Sequence, residues 1–168
     1  ANNGATPLYM ACEKDRVKVV KALLTRKEIQ INQAEEGGAT PLFIACQKDR
    51  IKVVNALLER KEIQINQAMN DGCTPLYVAC QEDRVKVVNA LLERKEIQIN
   101  QARDSGATPL YIACQEGRVK VTNALLARKE IQINQAKNSG ATPLYIACEK
   151  GHVKVVKALL TNKEIDIN

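Results

Sequence analysis

The sequence predicts an all-α repeat, a solenoid of five helix-turn-helix units of 34 residues joined by hairpin-like turns. Three observations carry that expectation. The pair Thr-Pro recurs at Thr6, Thr40, Thr74, Thr108 and Thr142, always 34 residues apart. Cysteine recurs at the same interval, at Cys12, Cys46, Cys80, Cys114 and Cys148. Each unit also holds two short apolar-periodic segments, too short to bury their faces alone, so neighbouring units must stack.

Cutting at the repeat gives one domain, 1–168, divided into units 1–34, 35–68, 69–102, 103–136 and 137–168, with no linker between them. The second and third units are identical at 26 of 34 positions. In each unit the elements follow in order. Thr108 is a good N-cap and Pro109 suits the first helical position. Leu110, Ile112, Ala113 and Cys114 form an apolar stripe that ends at Gly117, a left-handed terminator. A second helix begins near Val119 and carries Val121, Ala124, Leu125 and Leu126 at helical spacing. Ile131 to Asn134 reads as an alternating extended stretch. It leads to a turn, RDSG in one unit and KNSG in another, rich in residues that tolerate positive φ.

The segment GATPLYIACEKGHVKVVKALL, residues 140–160, resembles the ankyrin signature, and comparable segments fill the chain. The resemblance implies L-shaped units whose turns project as fingers, with partners docking on the concave surface made by turn tips and first helices. Departures from the family pattern are specific. Tyr9, Phe43, Tyr77, Tyr111 and Tyr145 stand where the family has histidine, so a histidine hydrogen-bond network does not carry over. The aromatic column is expected to pack between units, with its hydroxyls finding polar partners. Asp15, Asp49 and Asp83 replace the corner glycine, at a modest cost if φ is positive there. The segment KEIQIN lengthens the unit by one residue, which implies a wider corner with the hairpin hydrogen bonds intact.

The units disagree mainly at the turn tips and the ends of the first helices, and these are the candidate partner-binding residues. The tips carry Glu35 and Glu36, then Met69, Asn70 and Asp71, then Arg103, Asp104 and Ser105, then Lys137 and Asn138. The helix ends add Gln81, Glu82, Gln115 and Glu116. Met69 and Cys73 are apolar or soft residues at expected surface positions, suited to an adaptable contact. A drift of exposed turns without selection explains the same differences, as does drift for Thr122, which breaks a valine column and is expected to bond a carbonyl one turn earlier.

Chemistry other than binding finds little support. His152 is the single histidine and sits at a structural corner, and phosphate loops, zinc-ligand spacings and nucleophile elbows do not occur. No catalytic residue, cofactor or metal site is expected. Helices in a stack lie about 8–10 Å apart, beyond disulfide reach, so the cysteines read as buried thiols in a reducing, cytoplasmic or recombinant intracellular setting. No apolar run has membrane-spanning length. The net charge of +6 comes in basic ladders interleaved with acids, which reads as a solvated, salt-bridged surface rather than a nucleic-acid or acidic-partner site.

Four corners read RKEIQINQA without a difference. So uniform a frame is also similar to a consensus-derived designed ankyrin, a stable scaffold for which no natural partner is expected. Capping is sparse: the first unit keeps Leu8, Val17, Val20 and Leu23, and the last keeps Leu144, Val153, Val156 and Leu159. Apolar surface exposed at the ends, and end-to-end stacking, follow as expectations.

Overall fold

Each Thr-Pro begins a helix, and each helix is short. The computed structural model describes residues 3–168. It contains α1 (Pro7–Glu13), α2 (Val17–Leu24), α3 (Pro41–Gln47), α4 (Ile51–Leu58), α5 (Pro75–Gln81), α6 (Val85–Leu92), α7 (Pro109–Gln115), α8 (Val119–Leu126), α9 (Pro143–Glu149) and α10 (Val153–Leu160). The threonine hydroxyl accepts from the backbone N–H three residues on, at 3.1 Å in the first four units and 3.2 Å in the fifth. The proline contributes a preset φ and no orphan N–H.

The corner between paired helices is left-handed in every unit. Asp15, Asp49 and Asp83 have φ of 56°, 58° and 56°, and Gly117 and Gly151 have 67° and 71°. The next N–H reaches back five residues, as from Arg84 to the Ala79 carbonyl at 2.9 Å. Aspartate therefore supports the same corner as glycine, at the cost of holding a side chain in that region.

First helices stack on first helices and second on second, α1 on α3 and α2 on α4, and so on along the array. The core is a set of columns. Leu42, Leu76 and Leu110 bury from the first helices, Leu57, Leu91 and Leu125 from the second, and Cys46, Cys80 and Cys114 from near the ends of the first. A fully buried leucine contributes about 1.5–3 kcal/mol, and each column repeats that gain only where a neighbour is present. Units thus stabilise one another rather than themselves.

The expected extended stretch is not a strand: no strand forms among the described residues. The burial alternates as read, Ile131 and Ile133 inside with Gln132 outside, but a tight turn occupies Ile133–Asn134 and the Gln135 N–H donates to the Gln132 carbonyl at 3.2 Å. The asparagine there acts as a bridge. Asn66 Nδ2 donates to the Glu96 carbonyl at 2.8 Å, and its Oδ1 accepts from the Gln98 N–H at 2.9 Å. Asn32, Asn100 and Asn134 do the same to the unit that follows each of them. A side-chain amide standing in for a peptide group needs a fixed backbone on both sides, which accounts for a corner repeated without variation.

Two further expectations are corrected. The Tyr111 hydroxyl is buried with no hydrogen-bond partner, so the aromatic column packs without satisfying every phenol. The Thr122 hydroxyl bonds no carbonyl; a polar neighbour is the thiol of Cys114, a weak partner, and the oxygen is otherwise orphaned in the core. Apolar exposure at the ends does occur, at Val153 as expected and otherwise at different side chains. Leu8, Val20 and Leu159 are buried, while Met10 and Val19 in the first unit and Tyr145, Val153, Leu160 and Ile167 in the last are exposed.

Candidate binding surface

The turn tips form a rigid row because each is pinned to the one before. The Asn70 N–H donates to the Gly37 carbonyl at 3.3 Å, Asp104 to Asp71 at 3.3 Å and Asn138 to Ser105 at 3.0 Å. Within a tip, the Lys137 N–H donates to the Ala141 carbonyl at 3.0 Å and Gly140 to Lys137 at 2.8 Å, which keeps the hairpin closure expected from the sequence. Gly106 shows why glycine ends each tip. Its φ is 80°, and a Cβ there would lie 2.7 Å from the Asn138 nitrogen of the next tip.

The first residue of each tip faces its neighbour. Arg103 Cζ lies 5.3 Å from the centre of the Tyr77 ring, and Lys137 Nζ 5.4 Å from that of Tyr111. Burial raises the Tyr77 phenol, and the Arg103 guanidinium pulls the other way. The same register position holds Met69, half-buried against the core, in the unit that follows Phe43, the chain's only phenylalanine. In the second unit it holds Glu35, whose carboxylate accepts from the Ala39 N–H at 3.0 Å and from Asn3 Nδ2 at 3.1 Å. Burial first, then the charge of Glu35, raises the Tyr9 phenol. Two residues at this position, Arg103 and Lys137, thus lie over the aromatic ring of the preceding unit, while Glu35 follows the same kind of ring with the opposite charge.

The second and third tip residues face outward. Glu36, Asn70, Asp71, Asp104, Ser105 and Asn138 are exposed. Asn70 and Asn138 also use their amides within the array, donating to the Glu36 and Asp104 carbonyls at 3.1 and 2.9 Å. Asp71 forms a short ion pair with Arg103 and accepts from the Cys73 N–H at 2.9 Å. Cys73, expected at the surface as a soft contact, is 6% exposed and part of the core. It occupies the small buried position held by alanine in the other units, and burial pushes its thiol up to about 11.

Gln81, Glu82, Gln115 and Glu116 are half-buried at the ends of α5 and α7. Of these, Gln115 lines a cleft together with tip residues. The cleft, of about 600 Å³ at the fifth unit, is lined by tip residues Lys137 and Ser139 together with Gln115, Tyr145, Glu149 and Lys150. One arginine row is already engaged elsewhere. Arg26, Arg94 and Arg128 pair with Glu28, Glu96 and Glu130 at 2.7, 2.8 and 2.9 Å, and Arg60 pairs with Glu62. Arg94 also donates to the Leu58 carbonyl at 2.7 Å. Arginine lowers the Glu96 and Glu130 carboxyls, then their backbone N–H groups; for Glu28 and Glu62 the backbone is the larger cause.

His152 holds a position that arginine fills in the other units. Arg84 and Arg118 donate through Nε to the Gln47 and Gln81 carbonyls at 3.2 and 3.1 Å, and His152 Nε2 meets the Gln115 carbonyl at 2.9 Å. The histidine thus ties two units together. The six cysteines are free thiols, five buried and Cys148 exposed.

A family model described as ankyrin repeats, three copies, matches residues 1–69, 27–103 and 95–168. No curated protein matches the chain. Those three segments span the array from end to end, and its paired helices, left-handed corners and pinned turn tips recur through it. The chain belongs to the ankyrin-repeat family.

Proposed function

We propose that the chain is a non-catalytic protein-binding module whose concave face, the turn tips with the ends of the first helices, takes a segment of another protein. The observation that supports this best is the rigid row of outward side chains, Glu36, Asn70, Asp71, Asp104, Ser105 and Asn138, on a backbone fixed unit to unit. A preorganised surface binds without the entropy of ordering its own loops.

The charge of that face points to the partner. In units two to four the tips and helix ends carry six carboxylates (Glu35, Glu36, Asp71, Glu82, Asp104, Glu116) against Lys48 and Arg103, and even with Asp71 paired to Arg103 and Glu82 to Arg84 an acidic excess remains. A cationic segment fits it. A polyanion would meet the exposed lysine rows of the second helices rather than this face, because most arginines already hold carboxylates or carbonyls. The six free thiols suit a reducing, cytoplasmic setting. No helix among the described residues is long and apolar enough to cross a membrane.

The test is capture of partners by the wild type and by a variant carrying Asn70→Ala, Asp104→Ala and Ser105→Ala, at two salt concentrations. Lys52→Ala, Lys86→Ala and Lys120→Ala on the second helices serve as a control. Stoichiometric binding lost in the tip variant, kept in the control and weakened by salt is expected. Retention by the tip variant refutes the reading. Capture of nothing reproducible favours the stable scaffold without a natural partner, the reading that the uniform frame supports.

A further inference from the structure

We infer that the two end faces of the 168-residue chain bind each other, so that copies associate head to tail through a fifth copy of the interface that already joins the units. The exposed large hydrophobics are confined to the terminal units: Met10 and Val19 in the first, and Tyr145, Val153, Leu160 and Ile167 in the last. Their register equivalents show what covers them. Val19 is 49% exposed, whereas Val53, Val87, Val121 and Val155 are at 0%, each covered by the preceding unit. Tyr145 is 59% exposed, whereas Phe43, Tyr77 and Tyr111 are covered by the following unit. Met10 belongs with Val19, and Leu160 with Tyr145, by the same comparison. One end face is therefore of the kind a preceding unit covers, and the other of the kind a following unit covers.

The polar register agrees. Arg16 stands exposed where Arg50, Arg84 and Arg118 donate to the helix-end carbonyl of the preceding unit, and Glu149 holds the carbonyl position of Gln47, Gln81 and Gln115. Asn168 likewise holds the position from which Asn32, Asn66, Asn100 and Asn134 bridge forward. In a longer array the same faces carry a further unit; between separate 168-residue chains a second copy supplies it. The contact is heterologous, so it propagates as a helical polymer or closes as a ring. The end units also differ from the inner ones at one exposed position, with Lys21 and Lys157 where Asn55, Asn89 and Asn123 stand. The join brings these lysines together, and added salt strengthens it by screening them.

Sedimentation equilibrium of three proteins tests this: the wild type, Val19→Lys and Leu160→Lys. Both substitutions fall on side chains already exposed, which leaves the folded unit unstrained. The wild type is expected to grow beyond the dimer mass as concentration and salt rise. Each variant alone stays monomeric, because one of the two required faces is blocked. Their mixture forms a heterodimer and nothing larger. A wild type that is monomeric at millimolar concentration overturns the inference, as does either variant dimerising alone or a mixture that stays monomeric. Self-association that survives the alanine changes at the turn tips separates this contact from the concave face.

Discussion

Replacing Gly117 with aspartate, the residue units one to three carry at the same corner, should be far more damaging than its tolerance elsewhere implies. The backbone sits at φ 67°, where a side chain costs about 1–2 kcal/mol. A Cβ would also lie 2.8 Å from His152 Nδ1 and 2.9 Å from its Cε1. The ring has little room to retreat, because its Nε2 is held 2.9 Å from the Gln115 carbonyl. Releasing that hydrogen bond adds about 1 kcal/mol. The sum is about 2–3 kcal/mol, or a fall of about 5–10 °C in Tm for a chain of this size. Adding His152→Arg should recover a good part of the loss, since Asp83 and Arg118 already occupy the equivalent places with Arg118 Nε on the Gln81 carbonyl at 3.1 Å. Urea unfolding of Gly117→Asp, His152→Arg and the double variant measures the coupling. A coupling energy above about 1 kcal/mol is expected; additivity to within about 0.5 kcal/mol would refute the claim that glycine is there for the histidine.

Thr122→Val, which restores the residue of the other four units, should stabilise by about 1 kcal/mol by removing an orphaned buried hydroxyl; destabilisation in the same urea titration would mean the hydroxyl has a partner. Thr74→Ala removes the oxygen that accepts from the Tyr77 N–H at 3.1 Å and should cost about 1 kcal/mol, readable as a lower Tm. In native protein a maleimide should modify Cys148 well before the five buried thiols, a pattern mass spectrometry reads directly and uniform labelling would contradict. Burial raises the thiols of Cys12 and Cys114 from 9.0 to about 12, and those of Cys46 and Cys80 in the same direction. The folded chain thus holds these protons more tightly than the unfolded one. Their contribution to stability is full below pH 9 and lost between pH 9 and 12, so denaturation midpoints should fall across that window.

What the sequence determined by itself was everything governed by short range and period. The 34-residue interval, the Thr-Pro caps and the apolar spacing specify ten helices and their pairing, because capping and amphipathicity act within a turn or two. At Asp15, Asp49 and Asp83 the sequence raised a left-handed corner only as a condition, through the glycine that the resemblance implies there, and the backbone shows it. The general location of the candidate face was also legible, since units that share a core can differ only where the core does not reach. Tertiary structure alone decided which of those differences face outward. Arg103 and Lys137 vary yet each lies over a ring of the preceding unit, remote in sequence, and Cys73 varies yet is buried. It likewise decided which end residues are bare. Val19 and Tyr145 are exposed while Val20 and Leu159 are buried, a distinction set by which side of a unit the next one covers. Periodicity shows that a residue belongs to a column; only the stacking direction shows on which face that column opens.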